Sequence, residues 1–130
     1  GPLPCELRNN NPSLLIIRLG SNDVGVPDYY ESQMRRILEY TIENRVIPIL
    51  GTKADRNEGS NINNEIVRRL ATEFQIPLWD FDLVANTIDE RGLDTDGIHL
   101  NAEGMFYQNI SALVVLDRLW REVTYAPRIS

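Results

Sequence analysis

A chain of 130 residues, 42% hydrophobic and 25% charged, is one ordinary globular domain, long enough to bury roughly two-thirds of its unfolded surface. Its net charge of -6, with no Lys/Arg cluster to offset it, argues against nucleic acid as a partner. The single cysteine, Cys5, excludes an internal disulfide and a cysteine-based metal site, and no apolar run approaches the ~20 residues of a membrane span or reads as a secretory signal.

Taken in order, Gly1-Pro2 reads as the remnant of a cleaved tag, and the polar, Asn-rich stretch to Pro12 as an irregular lead-in. Ser13 to Leu19 is an unalternating apolar run closed by Gly20, which suits a strand covered on both faces, as in a parallel sheet. After the loop Ser21-Asn22-Asp23-Val24-Gly25-Val26, Pro27 and Asp28 open a helix running to Asn44. Its apolar positions are Tyr30, Met34, Ile37, Leu38 and Thr41/Ile42. The pattern then repeats. Val46–Leu50 is a second strand, in which Pro48 counts against a central place because it lacks a ladder donor. A helix follows from about Asn61 to Phe74, with Ile62, Ile66, Leu70 and Phe74 on one face. Ile76–Asp80 is a third strand, Phe81 to Gly92 wanders with at most one helical turn, and Asn101 caps a final helix from Ala102 to about Val123. That helix is apolar over a wide arc (Phe106, Ile110, Leu113, Val114, Leu116, Leu119, Trp120), which predicts that it is well buried. The chain thus divides into a lead-in, 1–12, and one α/β domain, 13–130. Its alternating elements imply a parallel sheet with helices on both faces and right-handed crossovers.

The only histidine, His99, follows Asp96 by three residues with Gly97 between. Imidazole is the one side chain whose ordinary pKa, about 6.5, lets it exchange a proton near neutral pH. The spacing lets Asp96 accept a hydrogen bond from Nδ1–H, which fixes the tautomer and leaves Nε2 as a base. Taken alone, the tetrapeptide reads mainly as a capping Asp beside a surface His. In parallel sheets, however, ligands bind outside the carboxyl ends of the strands. Three groups remote in sequence fall just past such ends: Ser21-Asn22-Asp23, Thr52-Lys53 and the Asp96/His99 loop. That coincidence favours catalysis. Thr52 and Lys53 read mainly as solvated loop residues. Tyr29, Tyr30, Trp79, Phe81 and Phe106 read as core and rim packing. One histidine and scattered carboxylates, Asp23, Asp94 and Asp96 among them, make a poor metal-ligand set.

Gly20-Ser21-Asn22-Asp23 after an apolar strand resembles the third block of the SGNH (GDSL-type) hydrolases, and Asp96-Gly97-Ile98-His99 before the last helix resembles their fifth block. The order of elements agrees from Ser13 to about Arg121. The resemblance implies a flavodoxin-like three-layer α/β/α sandwich, here without its first strands, and cofactor-free hydrolysis of esters or acetylated sugars. It implies Asn22 as oxyanion donor, His99 as general base and Asp96 as its orienting partner; Asp23 would hold the Asn22 loop through nearby backbone N–H groups. The family's Gly-Asp-Ser nucleophile motif is absent. Ser21 occupies a variable position of the third block, yet a hydroxyl beside an oxyanion donor is chemically capable of attack. The serine is therefore expected on a segment upstream of this chain. The alternative is a non-catalytic, flavodoxin-like interaction module. Without the first strands, Leu14–Leu19 would be an open edge that pairs with a second copy or with the serine-bearing segment.

Overall fold

The structure, a computed structural model, describes residues 13–18, 25–55 and 60–125. The lead-in, with Cys5, and the loop carrying Ser21, Asn22 and Asp23 lie outside the described residues. Ser13–Ile17 forms β1, Pro27–Glu43 α1, Val46–Gly51 β2, Ile62–Phe74 α2, Leu78–Trp79 β3, Phe81–Ala85 α3 and Ala102–Tyr125 α4. A 3₁₀ turn, Asp89–Gly92, lies between α3 and α4. The strands pair in parallel in the order β1-β2-β3, so each crossover runs through a helix.

Side chains alternate across the strands and so feed two separate cores. Ile17 and Leu50 point to one face, where they meet Tyr30, Met34 and Leu38 of α1 and Ile66, Val67 and Leu70 of α2. Ile16, Ile49 and Trp79 point to the other, against Phe81 and Ala85 of α3 and Ala112, Val115, Leu116 and Leu119 of α4. The result is a flavodoxin-like α/β/α arrangement. Local chemistry sets the helix ends. Pro27 opens α1, where its missing N–H costs nothing. Arg45, at φ +60°, turns the chain out of α1 and into β2. The Oδ1 of Asn101 accepts from the Gly104 N–H at 2.8 Å, the cap expected from the sequence.

Four expectations need correction. Pro48 is fully buried in the central strand. Leu50 and Thr52 donate toward β3, to Pro77 O and Trp79 O, each at 3.1 Å. By the period of two, Pro48 faces the same way, but ahead of where β3 begins at Leu78, so no ladder bond is lost there. The third strand itself is only Leu78–Trp79 rather than Ile76–Asp80, since Pro77 cannot donate to a ladder. Ile62, expected on the inner face of α2, is exposed, while Val67 and Ala71 join Ile66 and Leu70 inside. The largest difference is α4. One stripe of it covers the sheet, but Phe106, Ile110, Leu113, Val114 and Trp120 are exposed. The helix has two apolar faces, and the sheet covers one.

Candidate active site

The carboxyl ends of β1 and β2 and the start of α4 enclose a cleft of about 440 Å³. Arg18, just past β1, lines it, as do Lys53, Ala54 and Asp55 past β2. Ile98, His99 and Leu100 form another wall, with Met105 and Gln108 of α4. The histidine loop therefore sits on the strand edge where parallel sheets bind ligands.

Within that loop Asp96 organises the backbone before it touches the ring. Its Oδ1 accepts from the N–H groups of Ile98 at 2.9 Å and His99 at 3.0 Å. Its Oδ2 lies 2.5 Å from His99 Nδ1. Gly97, at φ +70°, makes the turn between them. The hydrogen bond to His99, with those two backbone donors, holds the Asp96 carboxyl down at about 2. Asp96 is thus an acceptor at any ordinary pH, the shared proton belongs to Nδ1, and Nε2 is the basic nitrogen. The same bond raises the His99 pKa above its usual 6.5, with smaller upward contributions from Asp94 and Asp55. An oriented imidazole of this kind can take a proton from a hydroxyl and return it to a leaving group.

Arg18 is a residue that hydropathy reading passed over. Its Nε donates to Thr52 O at 3.2 Å and its Nη1 to Gln108 Oε1 at 2.6 Å. The guanidinium lies over Trp79, 4.5 Å from the ring centroid. Gly51 makes room for it, because a Cβ there would come within 2.8 Å of Arg18 Cδ. Burial lowers the Arg18 pKa, and Asp55 partly offsets this. Arg18 thus ties β1, β2 and α4 together at the cleft. The signal lies in the sequence, since a charge inside the otherwise apolar run Ser13–Leu19 needs buried partners.

Thr52 is not a solvated loop residue. It is fully buried, donates to Asp80 Oδ1 and accepts from the Asp82 N–H, both at 2.8 Å. Asp82 in turn binds Arg68 and Arg91, and Arg91 Nη2 donates to Ala54 O at 2.8 Å, supporting the cleft wall from behind. Lys53 reaches the cleft itself. Of the aromatics, Tyr30, Trp79 and Phe81 are core, whereas Tyr29 and Phe106 are exposed. Asp96 and His99 are brought together. Ser21, Asn22 and Asp23 lie outside the described residues.

The sequence matches the profile of the GDSL-like Lipase/Acylhydrolase family over residues 2–105. It is similar to thioesterase 1/protease 1/lysophospholipase L1 of Escherichia coli strain K12, being 29% identical over 109 residues that cover 78% of this chain and 52% of that protein. The protein of the same name from Escherichia coli O6:H1 strain CFT073 gives the same identity and coverage. The chain spans about half the length of the curated relatives it matches.

Proposed function

Because the chain belongs to the GDSL-like lipase/acylhydrolase family, we propose that it carries the acid–base half of a serine ester hydrolase that works through an acyl-enzyme. The observation that supports this most directly is the 2.5 Å contact between Asp96 and His99 beside the cleft. In the proposed cycle, neutral His99 takes the proton of a serine hydroxyl at Nε2 as the serine oxygen bonds to the acyl carbon. The side-chain amide of Asn22 donates to the oxyanion, and Asp23 steadies the Asn22 loop. Collapse of the intermediate breaks the bond to the leaving oxygen or sulfur, which receives the proton from His99. A water, deprotonated by His99, then releases the acid and the serine. The substrates are small acyl esters, acetylated sugars among them. The names of the E. coli relatives, thioesterase and lysophospholipase, extend the acyl class to thioesters and lysolipids. No cofactor takes part.

These 130 residues hold no Gly-Asp-Ser motif, so the nucleophile is assigned to a segment outside them. The test is labelling by a fluorophosphonate together with turnover of an activated acetate ester, on this chain alone and joined to a serine-bearing segment. The chain alone should be neither labelled nor active, and the joined form should be both. There, Asn22→Ala should lower kcat by roughly 10²–10³, as for one oxyanion donor, and His99→Ala by more. Labelling of the short chain that is lost with Ser21→Ala would move the nucleophile to Ser21. An inert joined form would leave an interaction module instead.

A further inference from the structure

The Asp96–His99 pair sits on an exposed loop, with His99 80% and Asp96 45% exposed at the side chain. An ion pair that wet does not order the residues between its members. Backbone bonds within the loop, from Ile98 and His99 N–H to Asp96 Oδ1 and from Gly97 N–H to Asp94 O, shape the turn, and the base of the loop fixes that turn to the rest of the fold. Leu93 and Leu100 form an antiparallel bridge, the Asp94 N–H donates to His99 O at 2.7 Å, and the Asn101 N–H donates to Gly92 O at 2.8 Å. Asn101 Nδ2 donates to Leu93 O at 3.2 Å, while its Oδ1 caps α4 at Gly104.

Beneath this bridge two glycines meet backbone to backbone. Gly92, at φ +68°, lies so near Gly104 that a Cβ on it would fall 2.7 Å from Gly104 Cα. A Cβ on Gly104 would run into the Gly92 carbonyl, 2.9 Å from its carbon. Both residues are buried, although residues 94–99 between them are exposed. The contact fastens the 3₁₀ turn to the first turn of α4, and these are the two ends from which the histidine loop hangs. Neither a helix interior nor a turn requires two glycines in register; close approach does.

We propose that Gly92 and Gly104, latched by Asn101, are positioning residues that hold the loop ends at the separation at which Asp96 meets His99. This rests on the hydrolase reading for its consequence in turnover, but not for its geometry.

Because His99 is the only histidine, its ring resonances can be titrated by NMR in this chain without any activity. The wild-type ring should titrate above 6.5. In Gly104→Ala, where alanine favours the helix but its methyl forces the Gly92 carbonyl away, the titration should return toward 6.5, as it should in Asp96→Asn. Asn101→Ser keeps a capping oxygen, cannot reach Leu93 O and adds no charge, so it should shift the titration in the same direction. Asp94 and Asp55, which also act on the ring, and Lys53 and Arg18, which line its cleft, are unchanged in every variant. In the joined, active form, kcat should fall about 10²-fold, as for a misplacement of about 1 Å, with KM within threefold. Far-UV circular dichroism should stay native throughout. If Gly104→Ala fails to fold, Asn101→Ser decides alone. A folded variant with an unshifted His99 titration overturns the proposal, whereas an inert joined wild type overturns only the hydrolase reading.

Discussion

His99 owes its added basicity chiefly to one hydrogen bond. Neither it nor Asp96 is buried, and the first cause of both shifts is the bond between them. Since only the neutral ring can accept the serine proton, hydrolysis by the joined form should rise with pH through an apparent pKa above 6.5. Asp96→Asn should move that limb down toward 6.5 and lower kcat by up to roughly 10⁴, the scale seen when a histidine loses its orienting carboxylate. A pH–rate profile of both forms checks this. The same bond has a signed effect on folding. A raised His99 pKa stabilises the fold fully below 6.5, the ordinary value, and this is lost as pH rises through the raised one. The lowered Asp96 pKa stabilises above 3.8, and this is lost as pH falls toward about 2. The difference in Tm between wild type and Asp96→Asn should therefore be largest between those ordinary values, 3.8 and 6.5, and should shrink on either side. A difference that keeps growing above pH 8 would show that the two groups are not paired.

At the scale of elements, the sequence was informative wherever one periodicity governed a segment. Met34 and Leu38 in α1, and Ile66 and Leu70 in α2, fall inside as their 3.6-residue spacing requires. The Asp96–His99 contact was legible because it is local, spanning three residues. What hydropathy could not show is polarity cancelled by a partner far along the chain. Thr52 finds Asp80 and Asp82 across 28 and 30 residues, and Arg18 finds Gln108 across 90; once paired, such groups can be buried. Asp82, 2% exposed between Arg68 and Arg91, is the extreme case. Asp82→Ala should cost about 3 kcal/mol, the lower end for a broken buried pair, because it leaves Arg91 without a carboxylate while Arg68 keeps Asp80 and Glu65. Helix α4 departs from its expected burial for another reason: amphipathicity shows that a face must be covered, not by what. Leu116 packs under the helix while Leu113 faces out. Leu116→Ala should therefore cost about 2–5 kcal/mol, and Leu113→Ala in the chain alone no more than about 0.5. Denaturant unfolding of the three variants measures all of this, and equal costs for the two leucines would reverse the assignment of faces.

For the molecule as a whole, the exposed stripe of α4 and the side of β1 against which no described strand lies pose one question. Among the described residues β1 pairs only with β2, and Leu15 in it is 46% exposed. Leu14 and Ile16 belong to the cluster beneath α4, so the strand edge and the helix share one layer. An apolar edge strand invites pairing, and an exposed apolar helix stripe beside it invites cover by a partner. A strand added beside β1 and followed by a helix against Phe106, Ile110, Leu113 and Val114 would cover both. It would also end its strand on the carboxyl edge that holds His99, which is where a nucleophile must arrive. We therefore expect the serine-bearing segment to dock here and, in its absence, a second copy of the chain to take its place. Light scattering should show self-association of the chain alone at micromolar concentration and a single joined species once the segment is supplied. Leu113→Asp combined with Val114→Asp should leave the chain folded, since both side chains already face water, yet should abolish the self-association and the recovery of ester turnover together. A chain that stays monomeric at tens of micromolar, or a double variant that regains full turnover, would put the docking surface elsewhere.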